Sequence, residues 1–155
     1  MKILVLSDTH GQISAAEELI ATISPDQVIH LGDTLRDAEL LERHFPRIPI
    51  CRVPGNNDWF SDEATEKVVF LGGIKLFLCH GHTTGVKGGY GLQISRALKL
   101  GCRISLFGHT HRAFLEDRDG VMLLNPGSLT YSGTYAVITL SPAQPPQAEI
   151  KTYES

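Results

Sequence analysis

Short apolar runs alternate with segments of helical periodicity through the first half of the chain. Three runs are typical of strands, at Lys2–Ser7, Gln27–Leu31 and Ile48–Val53. The segments between them, Ser14–Ile23 and Leu35–His44, carry apolar residues at helical spacing. Because a crossover helix joins strands that run parallel, this βαβαβ order predicts a parallel sheet.

Turn and cap residues mark the ends of several predicted elements. Ser14 followed by Glu17 resembles a capping box at the start of the first helix. The pairs Gly72-Gly73 and Asp119-Gly120 are typical of tight turns, and each predicts an antiparallel hairpin. Gly101 is placed to end a helix, because glycine readily adopts a left-handed conformation.

The second half of the chain predicts one more helix and several shorter strands. The helix covers Leu92–Leu100, and the strands cover Lys67–Leu71, Ile74–Cys79, Ile104–Phe107, Ala113–Glu116, Val121–Leu124 and Thr134–Leu140. The proline-containing tail beyond Ser141 is expected to be peripheral. This mixture favours an α/β fold in which two sheets pack face to face with helices outside, rather than one doubly wound sheet.

Length and composition are those of one folded domain. With 155 residues, of which 42% are hydrophobic and 20% charged, we expect a single domain over residues 1–155. The net charge is -3 and there is no run of Lys or Arg, which argues against a stable nucleic-acid partner. The oligomeric state is open, with a homodimer as one option.

The first residues and the cysteines indicate a cytoplasmic protein. The apolar run after Met1 reaches Asp8 too soon for a signal peptide or a membrane span, so we expect no membrane partner. Cys51, Cys79 and Cys102 are odd in number and form no CxxC pair, which argues against a disulfide framework. Buried free thiols are the expected alternative.

Histidine, aspartate and asparagine side chains collect where predicted strands end. The residues that share this position are Asp8, His10, Asp33, Asn56, His80, His109 and His111. In open α/β sheets ligands bind outside the carboxyl ends of the strands, so these groups are expected to converge. Asp8, Asp33 and Asn56 are each also explained as simple turn or cap residues.

The paired histidines favour a metal site over simple turns. His80 and His82 form one pair and His109 and His111 another, and neutral imidazole is the commonest metal-ligand side chain. Ligands of this kind without thiolate point to Mn, Fe, Ni, Co or Zn rather than to a structural zinc site. Seven candidate ligands are more than one ion requires. Two ions that share a bridging carboxylate would be coordinated by all seven.

Five ordered motifs resemble those of the calcineurin-like metallophosphoesterases. The motifs are Asp8-x-His10, Gly32-Asp33, Gly55-Asn56-Asn57-Asp58, His80-Gly81-His82 and Gly108-His109-Thr110-His111, followed by Asn125-Pro126-Gly127-Ser128. The last motif and the small size look most like the compact prokaryotic phosphodiesterases of this superfamily. The resemblance implies a β-sandwich flanked by helices in four layers, α/β/β/α.

The resemblance also implies a ligand set and a reaction. Asp8, His10 and His111 would hold one divalent ion, a second ion would lie on Asn56, His80 and His109, and Asp33 would bridge the two. The expected activity is hydrolysis of a small phosphodiester substrate by a metal-bound hydroxide, with both ions neutralising the phosphate. We expect two ions, manganese first and Ni, Fe, Co or Zn as alternatives.

One position departs from the larger family, which often carries His after the metal-binding Asn. Here the residue is Asn57, whose amide cannot act as a general acid near neutral pH. We therefore expect better activity on diesters than on monoesters with poor leaving groups. Asn57 and His82 are the candidate catalytic residues, with Asn57 donating a hydrogen bond to phosphate and His82 as an acid or merely a solvated side chain.

Two functions other than catalysis remain possible for this site. The same fold also serves as a protein-interaction subunit in eukaryotic retromer sorting, and the loss of metal ligands would favour that function. None is lost in this chain, so hydrolysis is the favoured interpretation. A phosphate or nucleotide sensor that binds without turnover is a third hypothesis.

Overall fold

The computed structural model describes all residues 1–155 as ten strands and three helices. In chain order they are β1 Lys2–Leu6, α1 Ser14–Ile23, β2 Gln27–His30, α2 Leu35–His44, β3 Ile50–Arg52, β4 Glu66–Leu71, β5 Ile74–Cys79, α3 Gly91–Lys99, β6 Ile104–Leu106, β7 Phe114–Arg118, β8 Val121–Asn125, β9 Thr134–Ser141 and β10 Gln144–Thr152.

The strands form two five-stranded mixed sheets. The first, called sheet A, has the order β10-β9-β1-β2-β3, and the second, sheet B, has the order β4-β5-β6-β8-β7. β1, β2 and β3 pair in parallel, as the βαβαβ pattern predicts. The glycine turn joins β4 and β5 as an antiparallel hairpin, and Asp119-Gly120 does the same for β7 and β8.

Three apolar clusters define the layers of the fold. The central one has 13 buried residues from both sheets, among them Val5, Leu78 and Ile138, and it fills the space between them. A second cluster packs Leu19 and Leu41 of α1 and α2 against the outer face of sheet A, and a third packs α3 against sheet B. The predicted arrangement of two facing sheets with helices outside is confirmed.

The tail beyond Ser141 forms a strand at the edge of a sheet, which the sequence analysis did not predict. Residues Gln144–Thr152 form β10, which pairs antiparallel with β9 at the edge of sheet A. The pairing register shifts between Gln144 and Gln147, where Pro145 and Pro146 lie. Proline has no N–H to donate, so it is tolerated at an edge-strand bulge of this kind. The proline content therefore concealed a strand.

The N-terminal cap of α1 differs from the prediction. Ile13 is the N-cap of α1 and no side chain caps this helix, while Glu17 instead contacts His44 of α2. The predicted capping box is therefore wrong, although the bounds of α1 are as predicted. Gly101 lies just beyond α3 with φ of 72°, as expected for a terminating glycine. No helix has the length and apolar character needed to cross a membrane.

Candidate metal centre

Five of the seven predicted ligands lie close together between the carboxyl edges of the two sheets, namely Asp8, His10, Asp33, His80 and His111. Sheet A contributes Asp8 and His10 after β1, Asp33 after β2 and Asn56 after β3, and sheet B contributes His80 after β5 and both His109 and His111 after β6. Asp8, Asp33 and His80 are almost completely buried, His10, His109 and His111 are partly buried, and Asn56 is exposed. Strand ends from both sheets therefore build a single site.

The first group of ligand atoms surrounds one oxygen of Asp8. His111 Nε2 lies 3.1 Å and His10 Nε2 3.6 Å from Asp8 Oδ1. The other carboxylate oxygen, Oδ2, accepts hydrogen bonds from Ser7 Oγ at 2.5 Å and from the backbone N–H of His109 at 3.2 Å. Asp8 is therefore anchored through Oδ2 and presents Oδ1 to the imidazoles.

The second group shares Asp8 with the first. His80 Nε2 lies 3.5 Å from Asp33 Oδ2 and 3.7 Å from Asp8 Oδ1. In each group the potential ligand atoms lie within 4.8 Å of one another. His109 lies outside both groups with its ring centroid 5.1 Å from that of His80, and Asn56 is exposed beside Gly55.

The donor set fits a divalent cation. His80 Nδ1 donates to the carbonyl oxygen of Leu31 at 2.7 Å, so Nε2 presents its lone pair to the candidate metal centre. His80 Nε2 and His10 Nε2 are buried and have no hydrogen-bond partner in the protein. The buried carboxylates of Asp8 and Asp33 are paired only with histidine, and no Lys or Arg neutralises them. Buried charges and lone pairs of this kind are costly unless a cation satisfies them.

The remaining histidines are also suited to bind as neutral rings. Burial lowers the pKa of His109 to about 4, and the neighbouring His80 and Lys87 add to the effect. Burial, followed by the effect of His80, likewise lowers the pKa of His82. Near neutral pH both imidazoles are uncharged and therefore keep a lone pair for a metal or a substrate.

Comparison with known proteins identifies the family. Residues 1–142 match the sequence profile of the calcineurin-like phosphoesterase superfamily domain. The chain belongs to this superfamily. A probable metallophosphoesterase of Bacillus subtilis, YsnB, is 34% identical over 90% of this chain and 85% of its own length. The phosphodiesterase MJ0936 of Methanocaldococcus jannaschii is 30% identical over 82% of this chain and 83% of its own.

A solved structure shows the same fold. A predicted phosphoesterase from Streptococcus pneumoniae superposes with a TM-score of 0.84 and 26% identity, covering 98% of this chain and 89% of that one. The resemblance drawn from the sequence motifs is thereby confirmed. The chain is a calcineurin-like phosphoesterase, a hydrolase of phosphate esters, and its superfamily uses divalent metal ions.

The Gly55–Asp58 turn of this phosphoesterase holds Asp33 in place. Asn57 donates to both oxygens of Asp33, from its backbone N–H at 3.0 Å and from Nδ2 at 2.8 Å. The Asp58 carboxylate accepts the backbone N–H groups of Asp33, Leu35 and Gly55 at 2.8–2.9 Å. Asp58 is thus both a turn cap and a support for a candidate ligand. A Cβ on Gly55 would overlap the Asp33 carboxylate, so the backbone can approach only as glycine.

A buried hydrogen-bond network behind the phosphoesterase site, called the relay below, was not predicted from the sequence. The N–H of Gly32 donates to His30 Nδ1 at 3.1 Å, so His30 Nε2 carries the proton that it shares with Thr9 Oγ1 at 2.9 Å. Thr9 Oγ1 in turn donates to Asp37 Oδ2 at 2.5 Å, and Gly11 N–H donates to the same oxygen at 2.8 Å. The relay ties the loop that carries Asp33 to the loop that carries Asp8.

In the sequence, the members of the relay resemble residues that only support the fold. His30 lies inside β2, and Asp37 lies in the first turn of α2, where an acid ordinarily favours the helix dipole. The motif Asn125–Ser128 was noticed, and its role is visible in the structure. Asn125 Nδ2 donates to the carbonyl oxygen of Gly108, and Ser128 Oγ donates to that of Asp8.

Proposed function

We propose that this phosphoesterase is a phosphodiesterase that works with two divalent metal ions. One observation carries the proposal: five of the seven candidate ligands, drawn from both sheets, form two groups whose ligand atoms lie within 4.8 Å of one another, and the buried Nε2 atoms of His10 and His80 have no hydrogen-bond partner. A small phosphodiester is the proposed substrate. The three cysteines are unpaired, which supports the proposed cytoplasmic location.

The two groups of ligand atoms support two neighbouring ions. Asp8, His10 and His111 are proposed for one ion, which agrees with the first group. His80, His109 and Asn56 are proposed for the other, with Asp33 between the two. When bound, such ions would supply a hydroxide nucleophile by lowering the pKa of bound water towards neutrality, and they would neutralise the phosphate charge. Manganese is the first candidate, with Ni, Fe, Co and Zn as alternatives.

Asn57 and His82 are proposed to act on the substrate. One N–H of the Asn57 amide is used by Asp33, which leaves the second free to donate to a phosphate oxygen. His82 Nδ1 is buried without a partner, 5.6 Å from His80 between ring centroids. Because an amide cannot protonate a leaving alkoxide, diesters with stable leaving groups are the better substrates.

The full set of candidate ligands argues against a non-catalytic scaffold. That function would need no ordered ligand set, whereas here each of the seven positions keeps a residue able to bind metal. The hydrogen bonds that orient Asp8, Asp33 and His80 would also serve no purpose in a surface used only for docking. Hydrolysis is the better account of these buried polar contacts.

The test is a comparison of two chromogenic esters. Protein stripped with chelator and reloaded with Mn²⁺, Ni²⁺ or Zn²⁺ is assayed with bis-p-nitrophenyl phosphate, a diester, and p-nitrophenyl phosphate, a monoester. We expect metal-dependent turnover with higher kcat/KM for the diester. Asp33→Ala should abolish turnover, whereas Asp117→Ala, which removes an exposed carboxylate on β7, should not.

Two results would overturn the proposal. Bound metal without turnover of either ester would exclude a hydrolase that acts on simple phosphate esters and favour a sensor or scaffold. Equal or faster turnover of the monoester would remove the diester preference inferred from Asn57.

A further inference from the structure

Two cavities have linings that include residues next to candidate metal ligands. One, of about 670 Å³, opens beside Asn57, which is hydrogen-bonded to Asp33. The other, of about 510 Å³, opens beside Thr110, which stands between His109 and His111. A phosphodiester has two organic arms, and each of the two cavities is a candidate site for one of them.

The two cavities differ in charge. The cavity beside Asn57 has a single cation, Arg36, and four carboxylates in its lining: Glu39, Asp58, Asp62 and Glu63. The cavity beside Thr110 is lined by Lys87 and Arg112 and by no carboxylate at all. We call it the Lys87–Arg112 pocket; its other lining residues are Val86, Tyr90, Thr110, Ala113 and Phe114.

The charge of the Lys87–Arg112 pocket is not neutralised within the protein. Neither Lys87 nor Arg112 takes part in any of the salt bridges of the chain. The chain has 17 acidic and 14 basic residues, so its overall charge is negative. The local charge of this cavity, which holds two cations and no acid, is positive. Such a pair attracts an anionic group.

The backbone on both sides of the pocket is fastened to the candidate metal centre. Val86 is buried, and its N–H donates at 3.2 Å to the carbonyl oxygen of Gly81, which lies between His80 and His82. On the other side, Thr110 Oγ1 accepts from the Arg112 N–H at 3.2 Å and from Asn125 Nδ2 at 3.0 Å. The chain segments that carry the two cations are therefore held beside the metal ligands.

An aromatic wall completes the pocket. The rings of Tyr90 and Phe114 pack with centroids 4.6 Å apart, and both join the apolar cluster beneath α3. A wall of this kind excludes water from one side, which strengthens the attraction between the cations and an anion. Arginine binds phosphate through two parallel N–H groups, and lysine adds a compact positive charge.

We infer that the Lys87–Arg112 pocket binds a second phosphate group of the substrate, on one arm of the scissile diester. The substrate class is then a phosphodiester that carries a further phosphomonoester, such as a short oligonucleotide with a terminal phosphate. The uncharged arm lies in the acidic cavity beside Asn57. The inference rests on the proposed phosphodiesterase activity.

Dinucleotides with and without a terminal phosphate test the inference. The Mn²⁺-loaded protein is assayed with ApA, with pApA and ApAp, and with bis-p-nitrophenyl phosphate. We expect kcat/KM to be at least about tenfold higher for one of the two phosphorylated dinucleotides than for ApA, as a charged contact to phosphate would give. Preference between pApA and ApAp would show which arm enters the pocket.

A charge-matched pair of double variants assigns the preference to the pocket. Lys87→Gln/Arg112→Gln should lose the tenfold preference, measured within each protein as the ratio of kcat/KM for the phosphorylated dinucleotide to kcat/KM for ApA. Arg43→Gln/Lys99→Gln removes the same charge from the exposed ends of α2 and α3 and should keep the preference. Loss of preference in both variants would attribute it to long-range net charge and overturn the inference.

The outcomes separate this inference from the proposed function. Turnover of bis-p-nitrophenyl phosphate without any preference for pApA or ApAp would overturn the inference alone. If no diester is turned over, the proposed function fails, and the pocket is tested by calorimetry with adenosine 3′,5′-bisphosphate. Binding weakened at least tenfold in Lys87→Gln/Arg112→Gln but not in the control would support a phosphate pocket. Equal binding in the two variants would exclude it.

Discussion

Five of the seven candidate ligands have backbone torsions in the left-handed region. Their φ angles lie between 47° and 70°, and the residues are Asp8, His10, Asp33, His109 and His111. Only two other non-glycine residues of the chain, Ser24 and Asp119, share this conformation. Each such residue costs on the order of 1 kcal/mol and persists only where its surroundings over-determine it. The hydrogen bonds around Asp8 and Asp33 are therefore needed to hold the ligands.

The residue types at the centre could be predicted from the sequence, but their supports could not. Asp8, His10 and His80 belong to short motifs that are visible along the chain. The contact from Asp37 to Thr9 joins residues 28 positions apart, and nothing local marks Asp37 as buried. Its burial depends on how α2 packs behind the Asp8 loop, which is a tertiary property.

We predict that Asp37 positions the Asp8 loop for metal binding. Asp37→Ala removes the acceptor shared by Thr9 and Gly11, so Mn²⁺ affinity should fall about tenfold or more. The free energy of unfolding should fall by about 1–3 kcal/mol, because buried donors lose their partner. Asp37→Asn retains an acceptor oxygen and should restore most of the affinity. Calorimetric Mn²⁺ titration measures the effect, with Asp117→Ala as control, and unchanged affinity in Asp37→Ala would contradict it.

At the scale of elements, hydrophobic periodicity predicted most of the fold because most strands are buried. β1 and β2 are almost fully buried and gave continuous apolar runs. β10 alternates half-buried and exposed residues at a sheet edge, and its prolines obscured this pattern. Pairing with β9 decides the structure of β10, and that contact is not visible in the local sequence.

The edges of the two sheets are joined by an ionic contact between β3 and β4. Arg52 of β3 donates to Glu63 at 3.0 Å, and Lys67 of β4 reaches both Glu63 at 3.1 Å and the carbonyl oxygen of Arg52 at 2.7 Å. Burial alone would raise the pKa of Glu63, but the hydrogen bonds from Lys67 and Arg52 outweigh it, and the pKa is lowered.

This contact should stabilise the fold in a pH-dependent way. A carboxyl group whose pKa is lower in the folded state stabilises the fold at pH values above its pKa in the unfolded chain, which is near 4.3. This contribution is lost as the pH falls through the pKa of the folded state. Glu63→Gln should therefore lower the free energy of unfolding at pH 7, by less than about 1 kcal/mol because the pair is partly solvated. Urea denaturation from pH 3 to 7 should show the two proteins converging at acid pH. A difference that persists at pH 3, or one equally large for Glu154→Gln, would refute this.

At the scale of the whole molecule, the candidate metal centre connects the two sheets. Asp8, His10 and Asp33 come from sheet A, and His80 and His111 come from sheet B. Ions held by both sets bind the folded chain but not the unfolded one, and so stabilise it by mass action. The single domain over residues 1–155 stays a prediction, which thermal unfolding with and without Mn²⁺ can test.

We predict that Mn²⁺ raises the melting temperature of the stripped protein. At 100 times Kd the gain is about 2.7 kcal/mol, which for a chain of this size corresponds to roughly 5–10 °C. Scanning calorimetry should show one cooperative transition that shifts as a unit, and Asp33→Ala should remove most of the shift. Two transitions, of which only one responds to Mn²⁺, would mean that the sheets unfold independently and would contradict the single domain.

The position of β1 between β2 and β9 has a consequence for biosynthesis. Lys2 pairs with Thr139, so β1 receives one of its two neighbours only after the residues up to β9 have been translated. At about 5–20 residues per second the apolar run Ile3–Leu6 waits on the order of ten seconds with an open edge. Until β9 has been synthesised, that edge of β1 is open to pairing with the edge strands of other chains.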